Sequence, residues 1–321
     1  MPKCDTGPPV IVITGPTATG KSALAIQLAE RCAGEIVNAD SMQVYRYLDI
    51  GTAKPSLAER ARVPHHMFDV VTPDVEYSAG RYCSEARAAA AAIHDGGAPV
   101  LLVGGTGLYI RAFLQGLVEE GGAANPELRT RLEAEHAQAA GEGDPTRLHR
   151  RLEKADPESA SRIHPNDVRR LVRALEILER TGEPPSQVRS RQGFDDAPYR
   201  VLHLALDLPV AQLDARIDER CRRMLDRGLL QEVRDLVARG YGPQLRPLQA
   251  IGYRHMWPVV EGSDTLANAL PEMQRDTRRF ARRQRTWLRS VPDARWVDPR
   301  DEAKIAADVA AFLEALLGPS R

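Results

Sequence analysis

Cysteine and lysine are scarce in this chain of 321 residues, neither sign of charge prevails, and no long apolar run occurs. The four cysteines, Cys4, Cys32, Cys83 and Cys221, stand singly without C-x-x-C spacing. That spacing excludes a disulfide framework and a cysteine-rich structural zinc site, and it predicts a reducing compartment. Lys plus Arg and Asp plus Glu are both 44, so no global field draws the protein to nucleic acid or to a membrane surface, and only local patches can. No apolar stretch approaches the ~20 residues of a membrane span. The first apolar run, Val10 to Ile13, has only Lys3 before it among basic residues and turns directly into Gly15-Pro16, so no secretory leader is expected. The expected location is the cytoplasm. The remaining composition, 43% apolar and 27% charged, is that of a folded globular chain, and its length suggests about two domains.

The first third alternates short apolar runs with helical patterns. Strands are expected at Val10–Thr14, Glu35–Asn38 and Pro99–Val103, and helices at about Lys21–Arg31 and Ala79–His94. Such alternation builds a parallel sheet with helices on its faces. From Gly116 to about Ala197 the character changes to charged helical segments punctuated by glycine and proline, which predicts an inserted helical unit. Tyr199–Leu208 then reads as a buried strand returning to the sheet, followed by long Arg-rich amphipathic helices to the C-terminus. The expected organisation is a first core part at 1–116, a helical insertion at 117–196 and a core continuation at 197–321. Arg275, Arg278, Arg279, Arg282, Arg283, Arg285 and Arg289 share one helical stretch with a single acid, Asp276. Arg278, Arg282, Arg285 and Arg289 fall along one face. By themselves they form an RNA-binding stripe or a solvated helix face.

Gly15-Pro16-Thr17-Ala18-Thr19-Gly20-Lys21-Ser22 matches G-x-x-x-x-G-K-[ST] between an expected strand and an expected helix. Glycines let the backbone wrap a diphosphate, and N–H groups at a helix start supply partial positive charge. Lys21 reaches outer phosphate oxygens, and the Ser22 hydroxyl can bind magnesium. The strand ending at Asn38 leads into Asp40, at the sheet edge where open α/β sheets place their chemistry. Asp40 is therefore a candidate general base, or else a turn residue. The strand ending at Val103 leads into Gly104-Gly105-Thr106-Gly107 with no acid of the kind an ATPase uses to hold magnesium. Thr106 is placed to meet a phosphate or a nucleophile, or to cap the next helix. Asp207 reads as a turn residue before Pro209. The adjacent His65 and His66 lack partner ligands and point apart in an extended segment, which argues against a metal role. Met256 and Trp257 are expected in the core.

The segments GPTATGKS, NADSMQVYRYLDIGTAKP, VPHHMFDV, LLVGGTGLYIRA, IHPNDVRRLVRALEI, GLLQEVRDLV, QAIGYRHMW and RRQRTWLR follow one another from Val10 to about Trp296. In this order they resemble the tRNA dimethylallyltransferases, also called tRNA isopentenyl-pyrophosphate transferases. The resemblance implies a P-loop parallel α/β core with helices on both faces and an inserted helical domain. It implies transfer of a dimethylallyl group from dimethylallyl diphosphate to the N6 amine of adenosine 37 of tRNA, 3′ of the anticodon, releasing diphosphate. The implied partners are the tRNA anticodon stem-loop and dimethylallyl diphosphate, with Mg2+ as cofactor and a monomeric state. Gly15, Pro16, Thr17, Ala18, Thr19, Gly20, Lys21 and Ser22 would hold the diphosphate, with Ser22 toward the metal. Asp40 would accept the N6 proton, Thr106 would sit between amine and diphosphate, and Arg220 would face the leaving diphosphate beside Lys21.

The same resemblance assigns tRNA contacts to Asp40, Ser41, Met42, Gln43 and Thr106, and to Arg129, Arg169, Arg170, Leu171, Val172 and Arg173. It adds Gln249, Ala250, Ile251, Gly252, Tyr253 and Arg254, and the run Arg282, Arg283, Gln284, Arg285, Thr286, Trp287, Leu288 and Arg289. The stretch Glu119–Asn125 departs from the family pattern, and no zinc-finger Cys/His set follows Trp296, which points to a bacterial-type member. Three rival functions remain at this stage: an adenine-nucleotide isopentenyltransferase, a P-loop small-molecule kinase or ATPase, and a non-catalytic RNA-binding protein.

Overall fold

A computed structural model describes residues 7–117, 125–191 and 198–317. Cys4 and most of the Glu119–Asn125 stretch lie outside the described residues. The chain divides into two compact units, 1–115 with 197–321 and 116–196.

In the first unit the elements run β1 (Pro9–Thr14), α1 (Lys21–Cys32), β2 (Glu35–Asn38), α2 (Leu57–Arg60), β3 (His65–His66), α3 (Ala79–Asp95), β4 (Val100–Val103) and α4 (Gly107–Gln115). The second unit holds α5 (Pro126–Gly141), α6 (Arg147–Ala155), α7 (Pro157–Arg162), α8 (Val168–Thr181) and α9 (Pro185–Arg191). The first unit resumes with β5 (Arg200–Leu206), α10 (Val210–Asp226), α11 (Leu229–Ala238), α12 (Tyr253–Val260), α13 (Leu266–Arg289), β6 (Arg295–Val297) and α14 (Glu302–Leu317). The strands form one sheet in the order β3-β2-β4-β1-β5-β6, parallel throughout.

A parallel sheet is buried on both faces, which is why β1 and β4 read as unbroken apolar runs. Alternate residues of β1 serve opposite faces: Val10 and Val12 join the core with Tyr82, Phe113, Ile217 and Met273. Ile11 and Ile13 pack with Leu24, Leu28, Ile305 and Val309. Thus α1 and α14 cover one face, and α3, α4 and α10 to α13 the other. Alanines at Ala86 and Ala90, both fully buried, let α3 lie close to the sheet. β6 departs from the expectation that only helices follow Pro209: three residues long, with Arg295 and Trp296 exposed, it has no apolar alternation to read. His65 and His66 form the short edge strand; His66 Nε2 meets Glu35 at 2.6 Å and His65 Nδ1 meets the Val63 carbonyl at 2.8 Å.

The second unit packs Leu132, Leu148, Leu152, Leu171, Val172 and Leu175 into its own core. Asn125, Asp156 and Asp167 cap α5, α7 and α8 by accepting from Leu128, Ser159 and Arg170 N–H groups. Glu176, with a fully buried side chain, accepts from Asn125 N at 2.7 Å, Arg129 Nε at 3.0 Å and Arg173 Nη1 at 2.7 Å. Burial alone would raise its pKa; the bonds from Asn125, Arg173 and Arg129 outweigh that and hold it below the ordinary carboxylate value. Glu176→Gln should destabilise this unit by about 1–3 kcal/mol, because the bonds to this buried group lose their charge assistance while Arg129 and Arg173, 32% and 35% exposed, keep access to water. With its folded pKa depressed, Glu176 contributes stability that is present above the ordinary Glu pKa and lost as pH falls through the folded value. Urea unfolding at pH 7 and pH 4 checks this: the wild type should lose part of its margin over Glu176→Gln at pH 4, and a constant margin contradicts the assignment.

Candidate active site

The diphosphate loop is shaped by three backbone positions with positive φ: Gly15 at 149°, Ala18 at 67° and Gly20 at 93°. At Gly15 a side chain would also strike the Leu206 carbonyl at 2.6 Å, so glycine is required there by conformation and by space. Thr19 Oγ1 donates to the Pro16 carbonyl at 2.8 Å and ties the turn. Helix α1 begins immediately after Gly20 with no side-chain cap and no acid in its first turn. Its N-terminal N–H groups and the positive end of its dipole are therefore available to an anion.

Lys21 opens α1, and its Nζ lies across the loop, donating to the Gly15 carbonyl at 2.9 Å and the Pro16 carbonyl at 2.8 Å. Burial and then the neighbouring Arg220 guanidinium bring its pKa down to about 7, against an opposing pull from Asp40. Arg220, on α10, is half-buried, and among the described residues its side chain makes no hydrogen bond or ion pair. Burial lowers its pKa as well, with Asp40 again opposing. Lys21 and Arg220 thus stand near the free N–H groups at the start of α1, an arrangement that suits an anion.

Asp40 follows β2 through Ala39. Asn38, buried at the strand end, accepts from Asp40 N at 3.0 Å and donates Nδ2 to the Asp40 and Met67 carbonyls. Asp40 Oδ1 accepts from Met42 N at 2.8 Å, closing a turn, and Oδ2 has no partner among the described residues. One oxygen of Asp40 thus builds the turn, as the turn reading expects, and the other is left unbonded among the described residues. Thr106 is brought alongside by the close approach of the β2 and β4 ends. Its N–H donates to the Ala39 carbonyl at 3.1 Å, and its Oγ1 accepts from Ser41 N at 2.9 Å and donates to Ser41 Oγ at 3.2 Å. A Cβ on Gly104 would sit 2.2 Å from the Ala39 carbonyl oxygen, so the approach requires glycine. Lys21, Ser22, Asn38, Asp40 and Gln43 line a cavity of ≈ 40 Å³ together with Ala25, Ile36, Pro55, Phe68 and Val103.

Gln43, expected to read a base, donates Nε2 to the Thr52 and Ala53 carbonyls at 3.1 and 3.3 Å. The loop it grips is held by Glu232 on α11, a residue the sequence reading did not single out. Glu232 accepts from the N–H groups of Asp49, Ile50 and Gly51 and from Tyr253 Oη. Tyr253, expected among the tRNA contacts, is fully buried against Gly51, where a Cβ would meet its ring at 2.5 Å. Gly252 is buried, and Ala250 and Ile251 pack on the core; Gln249 and Arg254 are exposed, with Arg254 on Asp276. The side chains of Leu171, Val172 and Leu288, also expected among the tRNA contacts, are buried. In the second unit, Arg129 and Arg173 are engaged by Glu176, while Arg169 and Arg170 are exposed on α8.

On α13 the arginine stripe divides. Arg282, Arg283, Thr286 and Arg289 face solvent, with Arg282 67% exposed and only Asp214 near it, at 3.9 Å. Arg285 instead pairs with Asp207 at 2.7 Å, which gives Asp207 a role beyond its turn. Trp287 stacks where a Gly107 Cβ would fall 2.3 Å from its ring, and Gln284 is buried.

Ser22 is exposed on the first turn of α1 and its hydroxyl has no partner among the described residues, so it is free to act as a magnesium ligand. No group of three or more His, Cys, Asp or Glu among the described residues is placed to hold a metal. Among the described residues Ser22 is thus the one side chain the loop offers to a magnesium ion, which would need its other ligands from elsewhere.

Comparison with known proteins identifies the family. A family model described as IPP transferase matches residues 43–291, and one described as isopentenyl transferase matches 8–65. The tRNA dimethylallyltransferase of Desulfosudis oleivorans is 50% identical over 93% of each chain. That of Desulfatibacillum aliphaticivorans is 46% identical over 95% of this chain and 98% of its own. Among solved structures, the tRNA isopentenylpyrophosphate transferase of Bacillus halodurans superimposes with a TM-score of 0.70 at 35% identity, covering 96% of this chain and 97% of that one. A eukaryotic dimethylallyltransferase acting on tRNA gives 0.79 at 32%, covering 95% of this chain and 78% of its own. With matches this long and this similar, the chain belongs to the IPP transferase family, alongside the tRNA dimethylallyltransferases.

Proposed function

We propose that this protein transfers the dimethylallyl group of dimethylallyl diphosphate to the N6 amine of adenosine 37 in the anticodon loop of tRNA, releasing diphosphate. The observation that carries the reading is the placement of Lys21, Ser22 and Asp40 around one cavity, with Asp40 Oδ2 unbonded among the described residues. The bond from C1 of the allyl group to the diphosphate oxygen breaks as the bond from N6 to C1 forms. The electron pair of the broken bond remains on diphosphate, where Lys21, Arg220 and the α1 N–H groups meet it. The proton of N6 passes to Asp40 Oδ2, which compensates for the weak nucleophilicity of an amine delocalised into a purine. Thr106, fixed through Ser41 beside Asp40, orients the amine. Magnesium, held by Ser22 and the diphosphate, would add charge stabilisation to the leaving group.

A kinase or ATPase is disfavoured because β4 ends in Val103-Gly104 without an acid to hold the metal. Mass analysis of an adenosine-37 stem-loop after incubation with dimethylallyl diphosphate tests the proposal. Gain of one C5H8 unit is expected; prenylation of AMP with none of the stem-loop would overturn it in favour of the nucleotide enzyme. Arg282 and Arg283, exposed on α13, are the proposed backbone contacts. Replacing both by alanine should raise the Kd for the stem-loop and flatten the slope of log Kd against log salt by about one to two. An unchanged slope would return them to a solvated helix face.

A further inference from the structure

Gln284 is buried on α13 between Ala281 and Leu288 of the buried stripe, while Arg282, Arg283 and Thr286 around it face solvent. Its Oε1 accepts from Thr17 N at 2.9 Å, and its Nε2 donates to the Gly105 carbonyl at 3.1 Å. One planar amide therefore joins the loop that would hold the diphosphate to the turn that carries Thr106. Thr106 in turn fixes Ser41, the residue after Asp40. Helix α13 adds a contact on either side, Arg285 to Asp207 after β5 and Trp287 against Gly107. We propose that Gln284 is a positioning residue that sets the separation of the diphosphate loop from the acceptor turn, rather than a reader of RNA. The inference rests on the reaction proposed above. Both substrates must be aligned for in-line attack, and a displacement of about 1 Å can lower turnover ~10²-fold.

Two variants reach the bridge from opposite ends. Gln284→Met keeps the volume and removes both hydrogen bonds. Gly105→Ala leaves Gln284 in place but puts a Cβ 2.3 Å from its Nε2, so the amide must move. In each, kcat should fall about 10²-fold, with KM for the stem-loop within threefold of wild type. Hydrogen exchange of the peptides spanning 15–20 and 103–108 reads the same bridge without turnover, and both should exchange at least about tenfold faster. A raised KM at unchanged kcat would make Gln284 an RNA contact and overturn the proposal. So would a lowered melting temperature with wild-type kcat per folded molecule and unchanged exchange at the two peptides. If the wild-type protein transfers no dimethylallyl group, the functional reading fails on its own, and the exchange rates still decide whether Gln284 couples the two loops.

Discussion

Asp40→Asn is expected to lower kcat by about 10²–10⁴-fold, the range a positioned general base contributes. The amide retains an oxygen able to accept from Met42 N, so the turn that Asp40 Oδ1 closes survives. What disappears is the free, negatively charged Oδ2 that takes the N6 proton. Diphosphate binding should persist, because Asp40 is not part of the loop, and removing a negative charge beside an anion does not weaken that anion's binding at a pH where Lys21 is protonated. The carboxylate also sustains the protonated form of Lys21, so in Asp40→Asn the amine loses its proton at lower pH than in the wild type. Single-turnover prenyl transfer, together with calorimetric titration of inorganic diphosphate at pH 6 and pH 8, separates these effects. A kcat within tenfold of wild type would remove Asp40 from the proton transfer. Loss of diphosphate binding at pH 6 would make it a structural residue instead.

The parts of this site that were legible in the sequence are those whose chemistry is local. The diphosphate loop could be read because strand, glycines, Lys21 and helix follow one another within a few residues, and Asp40 because it ends a short apolar strand. Gln284 was not legible as a bridge, since its partner Thr17 lies 267 positions away. The buried stripe of α13 runs Met273, Thr277, Ala281, Gln284 and Leu288. Its spacing is that of a core-facing helix, but two polar members and surrounding arginines hide the period from an apolar count. That stripe was the available signal. Glu232 was hidden for the same reason: an ordinary helix-surface acid by sequence, it gathers three backbone N–H groups of a loop more than 180 residues earlier. Within Gln249–Arg254 and Arg282–Arg289 buried and exposed side chains adjoin, because residues of one helix face opposite ways. Tyr253 and Leu288 are buried beside the exposed Arg254 and Arg289, a division that the order of residues alone does not mark.

Lys21 and Arg220 carry the other large effect. Lys21→Met should lower kcat by about 10²–10³-fold, as loss of one charge-stabilising donor does, and it should also change how diphosphate binding depends on pH. In the unliganded protein the Lys21 pKa is held down to about 7 by burial and by Arg220, against an ordinary value of 10.5. Between those values the unfolded chain binds the proton and the folded one does not, so this group's contribution to folding stability rises with pH through that window and is smallest below pH 7. Diphosphate reverses the balance, since its charge favours the ammonium. Binding above pH 7 must therefore take up a proton at Lys21, and affinity should fall by up to about tenfold per pH unit from there. Titration of inorganic diphosphate at pH 8 in two buffers of different ionisation heat measures the uptake. The wild type should take up close to one proton more than Lys21→Met, and an equal uptake in both proteins would contradict the account. Arg220→Met should weaken binding at pH 6 by removing a cation that meets the diphosphate. It should also relieve the repulsion on Lys21, so its affinity begins to fall at higher pH than in the wild type. These two responses have opposite signs on the pH axis, and a general loosening of the site would not produce both.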